Sequence, residues 1–405
     1  MNDAPALLEG LRVLSFCHYL QGPAASQYLA DMGADVVKVE PLGGAFERRW
    51  AGADTFVGDV SAFFLCANRN KRSLAVDLKS AEGKDLVLRL MAHYDVVLEN
   101  YRPGVMDRLG LGYEAARKAN PRIVYASASG FGTSGPMRDR PGQDLLIQAR
   151  VGLMATTGDP RKAPTPVGCA AVDQHGAALL AMGILGAYVR ALKTGTGTRV
   201  EASLFNAGID LQAEALTLYY SGGQQAGVVD RDAHLATWFH QAPYGVYQLT
   251  DAFIALSLNS LPALARALGD ETLTGLLDRD AYKERDSFAE AIAATLRPRR
   301  YDDLVPALDA EGIWYQRVQN YDDLRSDLQA VHNGSFREVA IGDRTATLVA
   351  HPLRYDGETP ALRRLPLAVG GDTADVLTEI GLTPGEIARL ARDGVIVTTN
   401  EGTTA

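Results

Sequence analysis

The sequence is poor in cysteine, with 3 in 405 residues. Cys17, Cys66 and Cys169 are an odd set without a Cys-x-x-Cys spacing, which argues against a disulfide framework and against a cysteine-rich zinc site. Free thiols are typical of a reducing compartment, so we predict a cytoplasmic protein. The first residues show no basic region followed by a long apolar run, and we therefore expect no signal peptide.

An excess of positive charge and a long apolar run are also lacking. Lys and Arg number 40 against 49 Asp and Glu, a net charge of -9, so a uniformly basic nucleic-acid binder is excluded. A local basic cluster could still bind a small polyanion, because nearby charges matter more than the total. The longest apolar run, residues 176–189, is too short for a bilayer and contains three glycines. We predict a buried helix there and no membrane partner.

The dinucleotide-binding fingerprint is missing from its usual place. No Gly-x-Gly-x-x-Gly follows the first predicted strand, where the loop reads HYLQGP. Residues 130–135 match the pattern, but they follow a later strand and precede Pro136 and a charged segment. A lone match in the wrong context gives little support to a nicotinamide or flavin enzyme, which remains a rival interpretation.

The chain does contain a regular alternation of strand and helix signals. Apolar, β-branched segments at 10–16, 34–40, 73–78, 95–98, 123–128 and 199–204 are separated by helical patterns, and a long apolar helix is predicted at 174–192. This rhythm predicts an α/β protein with a Rossmann-like open parallel sheet, whose ligand lies beyond the carboxyl ends of the strands. We predict a large domain of residues 1–205 plus 335–405, a smaller α+β domain of 225–330, and linkers at 206–224 and 331–334.

Asp173 is a single carboxylate at the start of that long apolar helix. One interpretation is an N-cap that accepts helix N–H bonds. The other is a covalent nucleophile, and the two are compatible. A helix N-terminus favours the charged form, so we expect Asp173 to be ionised. An ionised carboxylate can attack an acyl group.

Basic and glycine-rich loops offer candidate anion sites. The cluster at 68–73, with Lys71 and Arg72, and the segment at 100–108, with Arg108, are either solvated turns or a phosphate clamp. His18 is either a solvated loop residue or a donor to a phosphate or carbonyl. The loop at 129–136 is either a turn or a close backbone approach to a ligand. His175 and His240 lack a second ligand at helical spacing, so we predict no metal site.

Several ordered motifs together resemble one known family. Residues 10–40 (GLRVLSFCHYLQGPAASQYLADMGADVVKVE), 99–114 (ENYRPGVMDRLGLGYE), 166–187 (PVGCAAVDQHGAALLAMGILGA) and 193–204 (KTGTGTRVEASL) are similar to segments of the class III CoA-transferases. The resemblance covers nearly the whole chain and is firmest in the first half.

The resemblance implies a CoA-transferase that moves CoA from an acyl-CoA donor to a carboxylate acceptor. Its nucleophile would be Asp173, and the reaction would pass through a mixed anhydride and an aspartyl-CoA thioester at this residue. It further implies an interlocked homodimer and coenzyme A as substrate, with no tightly bound cofactor. The implied CoA contacts are His18, Tyr19, Leu20, Gln21, Lys71, Arg72, Val76, Asn100, Tyr101 and Arg108. The implied substrate-side residues are Gly130, Phe131 and Gln143. Because the implied dimer has residues of both subunits bordering each site, they also include Trp238, His240 and Tyr244 of the 235–250 stretch.

The chain departs from the family pattern at several positions. Pro41 stands where formyl-CoA transferase has an arginine, which leaves Arg48 or Arg49 to hold that end of the coenzyme. Ser129 replaces a lysine, and no glycine-rich flap is evident between 225 and 265, which disfavours formate or oxalate as substrate. Gln143 stands where racemases of the same fold carry a histidine base. Because glutamine cannot titrate, transfer is favoured over the alternative, an acyl-CoA racemase or epimerase.

Two further questions stay open at this level. A non-catalytic acyl-CoA-binding protein would carry the same binding motifs. Arg231 either pairs with a dicarboxylate substrate or is an exposed linker arginine.

Overall fold

Strands and helices alternate along the chain in the computed structural model, which describes residues 6–224 and 227–398. The strands are β1 (Arg12–Phe16), β2 (Asp35–Glu40), β3 (Phe56–Val57), β4 (Val60–Ser61), β5 (Lys71–Val76), β6 (Val96–Glu99), β7 (Val124–Ser129), β8 (Thr198–Ser203), β9 (Gly245–Gln248), β10 (Phe253–Leu256), β11 (Tyr315–Arg317), β12 (Phe336–Ile341), β13 (Arg344–Val349) and β14 (Ile396–Val397).

The helices include one long apolar helix, α8, and many shorter ones. They are α1 (Gln21–Asp31), α2 (Ala62–Asn68), α3 (Ala81–Met91), α4 (Val105–Leu109), α5 (Tyr113–Ala119), α6 (Asp144–Arg150), α7 (Leu153–Thr156), α8 (Ala171–Thr194), α9 (Leu204–Asp210), α10 (Ala213–Leu218), α11 (Leu261–Leu268), α12 (Glu271–Leu276), α13 (Arg285–Leu296), α14 (Tyr301–Ala310), α15 (Tyr321–Ser326), α16 (Leu328–Asn333), α17 (Thr373–Glu379) and α18 (Pro384–Arg392).

A seven-stranded sheet organises the first of two compact units. Its order is β14-β5-β2-β1-β6-β7-β8. The six strands from β5 to β8 are parallel, and β14 adds to the edge antiparallel to β5. The strand order therefore reverses between β1 and β6, which is the switch point where open α/β sheets place their ligands. The predicted parallel sheet is confirmed.

Helices cover both faces of this sheet, which explains why its central strands are largely buried. On one face, Leu86 and Leu90 of α3 and Leu390 of α18 pack over the strands. On the other, Leu29 of α1 and Leu180 of α8 do so. By length and apolar composition alone α8 could cross a membrane, but its inward side packs against the sheet.

The second unit contains an antiparallel sheet of three strands in the order β11-β10-β9. Buried apolar residues on one side of it, among them Tyr247 and Ile254, pack against Leu264, Phe288 and Ile292 of the helices. Alternation along β9 and β10 places the intervening residues on the opposite, more open face.

The compact units differ from the predicted domain boundaries. The first comprises the described residues within 1–147, 170–208 and 328–405, and the second comprises 148–169 and the described residues within 209–327. Residues 206–224, predicted as a linker, contain α10 and parts of other helical turns. Residues 331–334 lie at the end of α16 rather than in a linker.

Buried ion pairs hold the first unit together beside the apolar core. Asp31, at the end of α1, receives bonds from the Arg69 guanidinium (Nη2–Oδ2 2.7 Å) and from the Asn70 amide (2.8 Å), and His351 approaches the same carboxylate at 3.3 Å. These partners come from distant segments of the chain. Because hydrogen bonds offset burial, the pKa of Asp31 lies below its usual range.

Asp31→Asn should destabilise this unit strongly. Arg69 would remain buried without its counter-charge, and breaking one side of a buried ion pair costs about 3–5 kcal/mol. The matched control is Glu82→Gln, which removes an exposed partner of Arg389 and should change little. Equal melting temperatures for the two variants in calorimetry would contradict this account.

Candidate functional site

A cavity of about 650 Å³ lies at the carboxyl edge of the parallel sheet, at the predicted switch point. Much of its wall comes from loops that follow strands, as in open α/β sheets generally. The wall segments are 19–21 after β1, 100–103 after β6, 128–130 after β7 and 140–146 before and within α6. Asp173 also lines the cavity, from the first turn of α8.

Asn100 joins the two loops at the switch point. Its carboxamide accepts the His18 N–H at 2.9 Å and donates to the His18 carbonyl at 2.8 Å. The His18 ring also lies edge-on to Tyr101, with ring centroids 4.5 Å apart, and burial lowers the pKa of this histidine. Asn100 therefore holds the first loop in place, and its carboxamide is already occupied there.

Two glycines let the loop after β7 cross back over the strand end. A Cβ on Gly130 would lie 2.6 Å from the Gly142 Cα, so neither residue tolerates a side chain. This crossing brings residues 140–146 to the cavity. Gly130 and Gln143 both line the cavity as predicted substrate-side residues. Phe131 instead packs near Phe205, at 6.0 Å between ring centroids.

Asp173 is not the N-cap of its helix. Ala170 occupies the cap position without a side-chain bond. The acceptor is Asp144, whose Oδ1 receives the N–H groups of Val172 (2.8 Å) and Asp173 (3.1 Å). Asp144 thus performs the capping role that the sequence assigned to Asp173, and the Asp173 carboxylate is not used for that purpose.

The expectation that Asp173 is firmly ionised is wrong. Burial, and then the nearby negative charge of Asp144, raise the pKa of Asp173 to about 7. The stabilising helix N–H groups of residues 172 and 173 are given to Asp144 instead. A raised carboxyl pKa in a cavity is typical of functional sites.

Four arginines border the same region, and we call them the arginine cluster: Arg102, Arg108, Arg138 and Arg140. Three of them line the cavity. The guanidinium groups of Arg108 and Arg138 both lie close to Gly104, at 3.4 and 3.3 Å from the position a Cβ would take. Across residues 6–224 and 227–398, no acidic side chain forms an ion pair with any of the four. Unpaired guanidinium groups of this kind are suited to a phosphorylated ligand.

An aromatic row flanks the cavity. Tyr19, held at a positive φ of 58°, lies 4.9 Å from Phe46 between ring centroids. Phe46 lies 5.9 Å from Trp50, and Trp50 lies 4.9 Å from Phe63. Tyr19 and Phe63 also line the cavity, so the row continues into its wall. The row exposes a set of mutually tilted aromatic rings beside the cavity.

The predicted phosphate clamp at 68–73 is wrong in its two named residues. Lys71 is 0% exposed, and its ammonium donates to the carbonyls of Pro23 and Ala67 and to Asn68 Oδ1 at 2.7–2.9 Å. Arg72 is bound to Asp35 and Glu379 through short contacts of 2.6 Å. Both residues begin β5, so they lie at the amino end of a strand, opposite the edge that holds the cavity.

Other predicted contacts are also occupied elsewhere. Val76 is fully buried in the core and pairs with Ile396 of β14. Arg48 is bound to Glu40, at 2.6 Å, and Arg49 donates to the Gly43 carbonyl. Arg48 is therefore not free to replace the arginine that the family carries at the position of Pro41. Arg49 is exposed and forms no ion pair among the described residues, so its contact with the coenzyme stays a prediction.

The substrate-side residues predicted in the middle of the chain belong to the second unit. Trp238 is buried near Tyr219, and His240 bonds to Thr237 Oγ1 at 2.8 Å. Tyr244 lines a different, open cavity of about 720 Å³. Among the described residues, none of these three lines the Asp173 cavity.

Arg231 is neither an exposed linker residue nor free to bind a dicarboxylate. It is 1% exposed, and its guanidinium donates to backbone carbonyls of Leu235, Gly158 and Thr156 at 2.9–3.0 Å. Desolvation lowers its pKa. It holds loops of the second unit together.

The structure also brings in residues that sequence reasoning did not assign. Asp144 and the arginines at 102, 138 and 140 join the site, whereas the predicted residues Tyr19, Leu20, Gln21, Asn100 and Tyr101 line it as expected. The charged residues 138–140, which follow the glycine-rich loop, were the only hint of these arginines in the sequence. Their proximity to Asp173 depends on the close contact between Gly130 and Gly142, which the sequence does not reveal. In the parts of the chain that the structure describes, no group of three or more His, Cys, Asp or Glu side chains is placed to hold a metal.

Comparison with known proteins gives a consistent result. A family model described as CoA-transferase family III matches residues 8–373. The chain is 30% identical to the succinyl-CoA:glutarate CoA-transferase of Mus musculus, over 97% of this chain and 91% of that protein. It is 37% identical to the acetyl-CoA:oxalate CoA-transferase of Acetobacter aceti, over 60% of this chain and 61% of that protein.

A solved structure is similar over most of the chain. The crystal structure of a CAIB/BAIF family protein from Brucella suis matches with a TM-score of 0.77 at 27% identity, and the match covers 92% of this chain and 99% of that one.

The pH dependence of stability should reveal the raised pKa of Asp173. Between the ordinary carboxyl pKa and about 7, the folded protein retains a proton that the unfolded chain releases, so stability falls as pH rises. Asp173→Asn cannot titrate and so removes this pH-dependent loss of stability. Its melting temperature relative to the unmodified protein should rise from pH 4 to about 7 and then level off.

Two matched variants test the cause. Asp144→Asn keeps an oxygen for the helix cap but removes the charge, so the pKa of Asp173 should fall. When Asp173→Asn is added to Asp144→Asn, the gain in melting temperature should therefore level off at a lower pH. Asp139→Asn, in the exposed loop, should show no such pH dependence. A pH-independent effect of Asp173→Asn would show that its carboxyl group is unperturbed.

Proposed function

We propose, from the premise that the chain belongs to CoA-transferase family III, that Asp173 is the covalent nucleophile through which it exchanges CoA between acids. The observation that carries this proposal is the position of Asp173. It lies in the cavity at the switch point, while Asp144 takes over the capping of α8. A carboxylate released from a structural role beside a ligand cavity is suited to nucleophilic attack.

The reaction proceeds in two balanced halves. An Asp173 oxygen attacks the thioester carbonyl carbon of the donor, the C–S bond breaks, and CoA thiolate leaves as an acyl-aspartyl anhydride forms. The thiolate then attacks the aspartyl carbonyl, which releases the donor acid as its carboxylate and leaves an aspartyl-CoA thioester. The acceptor carboxylate repeats these steps in reverse order and departs as the new acyl-CoA, and Asp173 is regenerated.

The electrostatics around Asp173 favour this chemistry. Burial and the Asp144 charge make the free carboxylate less stable than it would be in water. Conversion of the carboxylate into a neutral anhydride or thioester removes that unfavourable charge. With a pKa of about 7, the group is still substantially ionised at neutral pH.

The arginine cluster is placed to bind the phosphates of the coenzyme. Its members have no acidic partner, and three of the four line the same cavity as the nucleophile, whereas Lys71 and Arg72 bind other groups of the protein. Tyr19 and the aromatic row provide a stacking surface for a ring or an apolar group. We propose coenzyme A thioesters as substrates, with no tightly bound cofactor.

The racemase alternative loses support at the same site. Gln143 lines the cavity and cannot exchange an α-proton. Among the described lining residues there is no histidine to serve as its substitute. Transfer between carboxylic acids is therefore the better interpretation.

A homodimer and a cytoplasmic location are part of the proposal. Met182, Val189 and Leu192 leave an apolar stripe exposed on the outer side of α8, which a second copy of the chain would bury. The thiols of Cys17, Cys66 and Cys169 are all free, which is typical of a reducing compartment.

Intact-mass analysis after incubation with a panel of acyl-CoAs tests the nucleophile. We expect an adduct of the mass of CoA less water, located by peptide mapping at Asp173. Asp173→Ala should abolish the adduct and lower CoA exchange by at least about 10⁴-fold. Asp139→Asn, a loop carboxylate outside the cavity, is the matched control and should retain both. Exchange that survives in Asp173→Ala would contradict the assignment.

Titration calorimetry with free CoA tests the arginine cluster. Arg138→Gln should raise the dissociation constant roughly tenfold, because a charge-assisted contact to phosphate is lost. Arg344→Gln, an exposed arginine at the start of β13, makes the same change of charge and should have no effect. Unchanged affinity in Arg138→Gln would place the phosphates elsewhere.

A further inference from the structure

Gln21 presents an unusual buried donor beside the nucleophile. It is the first residue of α1, it is 4% exposed, and it lines the same cavity as Asp173. Its amide nitrogen Nε2 is buried and has no hydrogen-bond acceptor among residues 6–224 and 227–398. Burial of a donor without an acceptor is unfavourable, so the position calls for an explanation.

The side chain reaches this position because α8 carries a glycine opposite it. A Cβ on Gly176 would lie 2.6 Å from Nε2, so a side chain at position 176 would force the Gln21 amide to move. Gly176 follows Asp173 by three residues, and residues at this spacing share one face of a helix. The unpaired amide therefore lies against the helix face that also carries the nucleophile.

Three neighbouring donor groups already have acceptors. The N–H groups of Val172 and Asp173 are donated to Asp144, so the N-terminus of α8 does not offer them to a ligand. The Asn100 amide is bonded to the His18 carbonyl. Gln21 retains a donor without an acceptor.

We propose that the Gln21 amide is an oxyanion donor for acyl transfer at Asp173. This inference rests on the proposed nucleophile. When an Asp173 oxygen bonds to the thioester carbon, the π pair of the C=O bond moves onto the carbonyl oxygen. A Gln21 N–H donates to that oxygen, which gives the amide its missing acceptor. The pair then returns to re-form C=O as the C–S bond breaks and the thiolate leaves.

Such a donor contributes most in the transition state, where the negative charge on oxygen is largest. It makes the resting protein less stable and the reaction faster. This combination separates it from a structural residue, whose removal lowers stability and affects the reaction only through the fold.

The test is Gln21→Met, which keeps the length of the side chain and removes the amide. Stopped-flow measurement of CoA-adduct formation should show a rate roughly 100-fold lower. The dissociation constant for free CoA should be unchanged. The melting temperature should be equal or higher, because an unpaired buried donor is replaced by an apolar group.

Gln27→Met is the matched control on the same helix. The Gln27 amide is fully engaged, with Nε2 donating to the Cys66 carbonyl and Oε1 accepting the Arg69 N–H, both at 3.0 Å. This variant should lose stability but keep the rate of adduct formation.

The outcomes distinguish the two proposals. Adduct formation in Gln21→Met at the rate of the unmodified protein would overturn the role of Gln21 and leave Asp173 intact. A lower melting temperature together with weaker CoA binding would also overturn it, since that is the behaviour of a structural or binding residue. Absence of any adduct in the unmodified protein would instead overturn the nucleophile itself.

Discussion

The parallel pairing of β1 with both β2 and β6 is the constraint on which the site depends. The connection after β1 leads to β2 on one side, and the connection after β6 leads to β7 on the other. The loops that follow β1 and β6 therefore leave a crevice between them at the carboxyl edge of the sheet. The Asn100 carboxamide then binds both the N–H and the C=O of His18, which holds the two loops together across that crevice. Every further feature of the cavity is arranged around this junction.

Electrostatic roles in the cavity are divided between two acidic residues that are far apart in the chain. Asp144 is acceptor for the first turn of α8, and Asp173 is left free in the same turn with a raised pKa. The Gly130–Gly142 contact makes this possible, since it folds the loop after β7 back toward α8. Asp144 is stabilised as an anion by backbone N–H groups, whereas Asp173 lies where loss of its negative charge is favourable.

The basic residues follow the same logic of position. Arg72, at the amino end of a strand, is paired with Asp35 within the protein. Those that follow the carboxyl ends, such as Arg102 and Arg138, line the cavity and have no acidic partner in the described chain. Charge type alone does not separate these groups. For Arg72 on one side and Arg102 and Arg138 on the other, the end of the strand near which each lies differs.

The sequence by itself determined the alternating α/β architecture, the parallel sheet and the position of Asp173 at the head of a long apolar helix, since these follow from local periodicity. It also placed Tyr19 to Gln21 and Asn100 at one sheet edge, because each follows a strand. It could not show that Lys71 is enclosed by three acceptors, that Arg231 is buried among carbonyls, or that Asp144 caps α8. Those roles depend on contacts between segments far apart in the chain, and only the tertiary structure decides which charges stay free for a ligand.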